Sequence, residues 1–141
     1  MLQQNTTKRI GYWLLLLHQG FDAATGDALR SELLGRREWQ VLHALQIGVG
    51  SVREIDEAFA PFLVADRIPS YRSIVEGFAD RGWVTVSGTA VLLTAAGHAA
   101  HERAESLVNA HADHSLRGIT EDEFRTANAV LAKIAENLGV E

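Results

Sequence analysis

Residues 51–94 read SVREIDEAFAPFLVADRIPSYRSIVEGFADRGWVTVSGTAVLLT, and this stretch decides the fold that the sequence predicts. It opens with Ser51 and, three residues later, Glu54, which is the pattern of a capping box at the start of a helix. Apolar residues then recur at the spacing of one helix face, at Val52, Ile55, Phe59 and Phe62. We expect Pro61 and the segment 66–69 to interrupt this helix, because proline removes a hydrogen bond of the helical ladder.

A second helix and a hairpin complete the stretch. The inward-facing residues of that helix are expected to be Ile74, Val75 and Phe78. Arg81 in the last turn and Gly82 after it predict the end of the helix. Trp83, Val84 and Val86 then alternate with smaller residues, Ser87-Gly88 supplies a tight turn, and residues 90–93 return. The sequence therefore predicts a mostly α fold with a small β-hairpin wing (α+β), a winged helix-turn-helix of the kind that most often reads DNA.

Two short motifs flank the hairpin and resemble those of a known family. Asp80, Arg81, Gly82, Trp83 and Val84 precede the wing, and Leu93, Thr94 and Gly97 follow it. Their order is similar to that of the MarR family of bacterial transcription regulators, in which Arg-Gly-Leu-Val precedes the wing and Leu-Thr-x-x-Gly opens the next helix. The resemblance covers nearly the whole chain. It implies one domain over residues 1–141, with a winged helix-turn-helix core at 36–93 and dimerisation helices at 8–34 and 94–139.

The flanking segments have the helical patterns that this resemblance requires. From Ile10 to Phe21 the chain is apolar nearly all round a helix, which favours a dimer interface over a central core helix, the simpler alternative. We expect Gly20 and Gly26 to bend or interrupt that helix, and we expect further helices at 36–46 and 95–116. The last helix is predicted to begin with a second capping box, Thr120 with Glu123, and to carry an apolar stripe.

Composition excludes several classes of function. The chain of 141 residues has no cysteine, so disulfides and thiolate metal sites are impossible, and we expect a cytoplasmic protein. Its longest apolar run, residues 12–17, is far shorter than the roughly 20 residues that cross a bilayer, so we expect no membrane contact. We expect no catalytic activity, because no cysteine nucleophile or glycine-rich phosphate loop is present, and no Ser-His-Asp set is brought close by the sequence.

The resemblance implies a DNA-reading surface on the second helix of the central unit. The positions that match are Arg67, Ser70, Tyr71, Arg72 and Ser73, with Arg53 on the helix before as a supporting contact. Among them Arg72 is expected to contact a base, since arginine binds guanine with two hydrogen bonds. The simpler alternative is an ordinary solvated turn with surface arginines. The implied partners are double-stranded DNA with a pseudo-palindromic site and a second copy of the chain.

Two features of charge oppose that interpretation. The net charge is −5, so attraction to phosphate depends on local patches. The wing, Val86-Ser87-Gly88-Thr89, is short and has no basic residue, whereas wings of the family carry arginines that reach the minor groove. The alternative is therefore a winged-helix dimer that binds an effector or a protein partner and has lost or weakened its DNA binding.

The resemblance also implies a small aromatic effector in a crevice between the dimerisation helices and the winged helix. The residues on the corresponding helices are Tyr12, Trp13, His18, Trp39 and His43, although tryptophans at helical core positions often serve packing alone. His98 with His101, and His111 with His114, lie three residues apart and share helix faces, so a zinc sensor is a lesser rival. We predict no metal site and no cofactor.

Overall fold

The computed structural model describes residues 7–141, so the first six residues of the predicted domain lie outside the described part of the chain. The chain forms two compact units, Met1–His111 and Ala112–Glu141. The first unit contains the whole of the predicted winged helix-turn-helix core, and the second contains the end of the predicted C-terminal dimerisation segment.

The chain is mostly helical with one two-stranded hairpin, which confirms the predicted fold class. In chain order the elements are α1 (Ile10–Ala28), a short 3-10 helix (Arg30–Glu32), α2 (Arg36–Gln46), α3 (Val52–Ala58), α4 (Ala60–Asp66), α5 (Arg72–Asp80), β1 (Val84–Ser87), β2 (Ala90–Leu93), α6 (Ala95–Ser115) and α7 (Glu121–Asn137). No helix within residues 7–141 is long and apolar enough to cross a membrane.

The predicted interruption of the first helix is wrong, because α1 runs through Gly20 and Gly26 without a break. A single glycine costs a helix interior only about 1 kcal/mol, which the flanking helix formers offset. The chain leaves the helix at Leu29, which is fully buried, and turns at Leu33 in the left-handed conformation with φ 54°.

The first helix of the helix-turn-helix is two short helices, α3 and α4, that meet at Phe59. Pro61 does not break a helix here; it lies in the first turn of α4, where its missing N–H has no helical partner to lose. Ser51 caps α3 as predicted, since its hydroxyl accepts a hydrogen bond from the Glu54 amide at 3.1 Å. The Glu54 carboxylate, however, accepts from the Gly50 amide at 2.8 Å and so closes the cap one residue earlier than predicted.

The hairpin is antiparallel, with Val84 opposite Leu93 and Ser87 opposite Ala90. Its turn lies at residues 88–89, where Gly88 has φ +60°. The Val91 amide donates to the Gly50 carbonyl at 2.8 Å, so the wing is attached to the segment that leads into α3.

The two motifs on either side of the wing bind each other. The Thr94 hydroxyl donates to the Gly82 carbonyl at 2.6 Å and accepts from the Gly97 amide at 3.1 Å, so Thr94 caps α6 as predicted. The Thr94 amide donates to the Trp83 carbonyl at 2.9 Å. The Arg81 guanidinium lies 3.7 Å from the centre of the Trp83 ring. The resemblance in these residues therefore reflects how the wing is joined to α5 and α6.

The buried core belongs to the first unit and collects residues from α2, α3, α5, α6 and both strands of the wing. Its members are Leu29, Leu34, Val41, Leu42, Leu45, Ile55, Tyr71, Val75, Phe78, Trp83, Val84, Val91, Ala100 and Ala104. In the second unit α7 begins with the predicted capping box of Thr120 and Glu123, and none of its residues is buried.

Candidate nucleic-acid interface

One side of α5 is fixed in the core and the other side is open. Val75 and Phe78 are 2% and 1% exposed. The residues on the opposite side of the helix are exposed, namely Arg72, Ser73, Glu76 and Asp80. A helix held in this way can enter a groove of DNA while its apolar side remains packed.

Arg72 lies between two surface grooves. A groove of about 560 Å³ separates the start of α3 from the wing and is lined by Ser51, Val52, Arg53, Glu54, Glu57, Arg72, Val86, Gly88, Thr89 and Val91. A second groove, of about 490 Å³, is lined by Ile68, Pro69, Ser70, Arg72, Ser73 and Glu76. Arg72 lines both, and no ion pair of Arg72 or Arg67 occurs within residues 7–141, so the charge of Arg72 is available to a ligand on that surface.

The predicted DNA contact of Tyr71 is wrong, because its side chain is fully buried. Its hydroxyl donates to Asp66 Oδ2 at 2.6 Å. Burial, and after it this hydrogen bond, raises the pKa of Tyr71 to about 12, so the phenol keeps its proton. The sequence did contain the signal for this burial, since Tyr71, Val75 and Phe78 share one helix face at spacings of four and three.

Ser70 is also less available than predicted. Its hydroxyl donates to Asp56 Oδ2 at 2.6 Å and accepts from the Arg72 amide at 3.1 Å. Ser70 therefore acts as part of the start of α5. Ser73 is exposed on the first turn of α5, and Arg67 is exposed directly after α4 with φ 56°.

The arginines near this surface are mostly paired with carboxylates. Arg53 Nε lies 2.9 Å from Glu57 Oε1, with the two side chains 87% and 62% exposed. Arg36 contacts Asp22 at 2.8 Å. Arg37 donates to both carboxylate oxygens of Asp66, at 2.8 and 3.2 Å, and holds the pKa of that carboxyl below its usual range. The wing adds no charge, since Val86 to Thr89 are exposed and neutral.

The predicted effector residues lie in two places in the first unit. Tyr12 and Trp13 are neighbours on α1 with ring centres 5.1 Å apart, and His18 on the same helix contacts Asp22 at 3.5 Å. On α2, Trp39 and His43 instead stack with a histidine that the sequence prediction did not place there, His101 of α6, at 5.1 and 5.2 Å.

His101 lies beside a different residue from the one that the sequence predicted. The sequence paired it with His98, whereas the structure places it next to His43. It is 4% exposed, and its Nε2 lies 2.9 Å from His43 Nδ1. Burial lowers its pKa below the ordinary value of 6.5. Within residues 7–141, His43, His101 and Glu105 each offer one ligand-type atom, and these three atoms lie within 4.8 Å of one another. These side chains are the ones that could hold a metal ion.

The two histidine pairs predicted from the sequence have other contacts in the structure. His98 Nδ1 lies 2.8 Å from Gln46 Oε1, so its described contact is to α2 and not to His101. His114 Nδ1 lies 3.4 Å from Arg117. The pairing of His101 with His43, which lies 58 positions earlier, has no signal in local spacing.

Comparison with known proteins identifies the fold. No protein-family model and no curated protein matches the sequence. The chain is similar to the solved structure of a probable transcriptional regulator from Pseudomonas aeruginosa, with TM-score 0.72 and 19% identity over 95% of this chain and 99% of that one. It is similar to CouR from Rhodococcus jostii RHA1 bound to p-coumaroyl-CoA, with TM-score 0.75 and 20% identity over 94% and 96%.

A third likeness is to a MarR family protein of Mycobacterium tuberculosis solved in complex with DNA. Its TM-score is 0.69 at 24% identity, and the match covers 89% of this chain and 97% of that one. At these identities the likenesses establish the fold alone. The chain has the MarR-type winged helix fold, as the sequence predicts.

Proposed function

We propose that this protein is a DNA-binding transcription regulator of MarR type that acts as a homodimer. The observation that carries the proposal is the arrangement of α5, which buries Val75 and Phe78 and presents Arg72 and Ser73 between two open grooves. The likeness to a MarR family protein solved with DNA supports it. We expect no catalytic activity and a cytoplasmic location.

In this proposal α5 enters the major groove and each side chain has a defined role. Arg72 donates two hydrogen bonds to a guanine edge, because its guanidinium matches O6 and N7. Ser73, Arg67 and Arg53 bind phosphates and fix the position of the helix along the duplex. Two copies of α5, one from each subunit, read successive major grooves about one helical turn apart in a pseudo-palindromic site.

Exposed apolar side chains support the proposed homodimer. In the first unit, α1 exposes a run of six large residues, from Tyr12 at 42% to Leu15 at 57% and Leu17 at 50%. In the second unit, α7 exposes Phe124 at 47% and Val130 at 47%. Apolar surface of this extent is expected to be covered by another protein surface, and a second copy of the chain provides one.

An aromatic effector is proposed to control the dimer. The support is the wall formed by Trp39, His43 and His101, together with the likeness to CouR, which was solved with p-coumaroyl-CoA. A ligand that binds better to a dimer with the wrong separation of its two α5 helices would shift the population away from DNA.

The proposal is tested with a duplex that the wild-type protein selects from a random library of short DNA. We expect Arg72→Gln to weaken binding by about tenfold or more and to relax the sequence preference at one base pair of each half-site. Arg103→Gln removes an exposed arginine of α6 that pairs with Glu32 and serves as the control. Equal effects of the two substitutions, or no selected duplex at low salt, would overturn the proposal.

The neutral wing and the paired arginines favour a second candidate, a winged-helix dimer that no longer reads DNA and binds an effector or a protein partner. Affinity measured against salt separates the two, because a DNA-binding surface loses affinity steeply as salt rises. Absence of binding at low salt by a protein of dimeric mass would favour this candidate.

The group of His43, His101 and Glu105 favours a metal-responsive form of the regulator as a further alternative to an aromatic effector. Two histidines and a carboxylate are a ligand set that suits Zn²⁺ with one position left open. Equilibrium dialysis with ZnCl₂ tests it, with His43→Gln as the ligand variant and His114→Gln as the control. Zinc binding that does not respond to His43→Gln, or no zinc binding, would leave the aromatic effector as the proposal.

A further inference from the structure

We propose that Asp56 is the positioning residue of the recognition helix: by holding the start of α5 it sets how strongly the protein distinguishes its site from other DNA, without touching DNA itself. The inference rests on the proposed function. It assigns a role to Asp56, which lies on α3, and a new role to Tyr71.

The start of α5 lacks a cap from its own residue. The first amides of a helix have no helical partner and need an acceptor. Tyr71 occupies the cap position with φ −89° and ψ 18°, and its side chain makes no cap hydrogen bond. The acceptor comes from another helix, 15 positions earlier in the chain.

One carboxylate serves one of these amides directly and a second through a serine hydroxyl. Asp56 Oδ1 accepts from the Tyr71 amide at 2.8 Å. Asp56 Oδ2 accepts from the Ser70 hydroxyl at 2.6 Å, and the same hydroxyl accepts from the Arg72 amide at 3.1 Å. Asp56 therefore holds Tyr71 directly and Arg72 through Ser70.

The ring of Tyr71 is held at its other end by two further helices. Its hydroxyl donates to Asp66 at the end of α4, at 2.6 Å. Asp66 is in turn bound by Arg37 of α2, whose guanidinium lies 4.1 Å from the centre of the Phe62 ring. Thus Tyr71 is tied to α3 and α4 directly and to α2 through Asp66, although the resemblance implied a DNA contact for it.

These contacts matter for reading because α5 is short. The helix has nine residues, and Arg72 is the first of them. A small change in the direction of its first turn would move Arg72 relative to the base edge, and bidentate recognition requires correct geometry. Non-specific contacts to phosphate are less sensitive to direction, since they depend mainly on charge.

The charge of Asp56 strengthens this distinction. A carboxylate at a helix N-terminus takes the place that the helix dipole offers to an anion. In this protein the amides of Tyr71 and Arg72 are therefore already occupied and are not offered to a DNA phosphate, so phosphate contacts near the start of α5 come from side chains such as Ser73. Removal of the carboxylate is expected to lower affinity for the selected site while leaving affinity for other DNA equal or higher.

The test compares Asp56→Ala with Asp80→Asn, which also removes one negative charge, from the exposed last residue of α5, but breaks no hydrogen bond found in residues 7–141. Each variant binds two duplexes, the one selected by the wild-type protein and one of the same length and composition with scrambled half-sites. We expect Asp56→Ala to lower the affinity ratio by about tenfold, as for a lost charge-assisted hydrogen bond, and Asp80→Asn to leave the ratio unchanged.

Two further readouts separate positioning from a general loss of structure. Thermal unfolding gives the temperature range in which each variant is folded, and binding is measured within it. Should Asp56→Ala fail to fold, Ser70→Ala breaks only the link to Arg72 and is expected to lower the ratio in the same direction. An equal loss of affinity for both duplexes would overturn the proposal. So would an affinity ratio that neither Asp56→Ala nor Ser70→Ala changes.

Hydrogen exchange in the free protein tests, without DNA, whether Asp56 holds the start of α5. The amides of Tyr71 and Arg72 are expected to exchange faster in Asp56→Ala than in the wild type, while those of Val75 and Phe78 stay protected. If the wild-type protein selects no duplex, the proposed function fails. If exchange at Tyr71 and Arg72 is unchanged in Asp56→Ala, the inference that Asp56 holds the start of α5 fails.

Discussion

Gly97 shows how a single atom decides local packing. A Cβ placed on it would lie 2.1 Å from the Trp83 carbonyl oxygen and 2.9 Å from Leu93 Cδ2. The carbonyl is backbone and accepts the Thr94 amide, so it cannot move without breaking the junction of α6 and the wing. Glycine is needed here for close approach, and this explains the last position of the motif after the wing.

We therefore expect Gly97→Ala to lower the free energy of unfolding by about 3 kcal/mol, because an overpacked contact with backbone cannot relax. Gly77→Ala is the matched control, since a Cβ there meets nothing within 4 Å and alanine favours a helix interior. The control is expected to raise stability by roughly 0.5–1 kcal/mol. Urea unfolding measures both, and equal changes would contradict the packing argument.

Glu57 limits the contribution of Arg53 to DNA binding. The two form an exposed i,i+4 pair at 2.9 Å beside the groove that Arg72 also lines. We expect Glu57→Gln to raise affinity for DNA by about threefold, because an exposed pair is weak and its carboxylate repels phosphate. Glu121→Gln removes the same kind of partner from Arg125 in the second unit and should leave affinity unchanged. Gel-shift titrations at fixed salt measure the affinity of both variants for DNA, and an equal change in the two would contradict the prediction.

Residue roles could be predicted from the sequence only where periodicity or a short motif constrains them. Arg72 and Ser73 are exposed on α5, where a DNA contact requires them to be. Tyr71 was placed with them because its position matches the resembled family, but its burial follows from the spacing to Val75. The partner of its amide, Asp56, comes from the fold, because no local pattern relates two residues on different helices.

At the scale of elements, α2 and α6 are joined by an aromatic cluster that contains a buried histidine. His101 of α6 packs against both Trp39 and His43 of α2, with its Nδ1 3.9 Å from Glu105 Oε2. The groups that act on its charge are Glu105, His43, His98 and Glu102. Burial is the largest effect and lowers its pKa below 6.5, so the folded protein binds a proton at this imidazole less readily than the unfolded chain does.

This arrangement predicts that stability falls on mild acidification. The unfolded chain binds a proton at His101 near pH 6.5, whereas the folded protein binds it only at lower pH. The contribution of His101 to the free energy of unfolding is thus fully present above about pH 6.5. It is lost as the pH falls towards the pKa of His101 in the folded protein. Urea midpoints between about pH 8 and about pH 5.5 should show the decline, and its slope should be smaller in His101→Gln. His114→Gln, an exposed substitution, should keep the wild-type slope; a flattened slope there would contradict the assignment.

Element boundaries were predicted best where capping chemistry is local. The bounds of α2 and the start of α7 follow the sequence prediction, since Thr120 and Glu123 satisfy each other across three residues. The glycines of α1 and the proline of α4 were misjudged because both effects depend on position within a helix. Gly20 is tolerated in a helix interior, and Pro61 is favoured in a first turn.

At the scale of the whole molecule, the exposed apolar surface is the feature that a single chain leaves unexplained. Leu14, Leu15, Leu16 and Leu17 are each between 42% and 57% exposed on α1. The sequence predicted an apolar helix that needs cover, and these leucines are exposed in the part of the chain that the structure describes. Oligomeric state could not be predicted further, because the pattern of an apolar helix is the same for a core and for an interface.

Leu17 offers the sharpest test of that surface, since a charge on it should separate two copies while each copy stays folded. We expect wild-type protein to elute at twice 15.4 kDa and Leu17→Glu to elute at 15.4 kDa in light scattering after gel filtration. In a two-fold interface the substitution counts twice, so dimerisation should weaken by at least about a hundredfold. Gln19→Glu, two residues away on the same helix and also exposed, places its charge on another side and should stay dimeric. A monomeric wild type would contradict the dimer and with it the reading of two successive grooves, because one α5 contacts only one half-site.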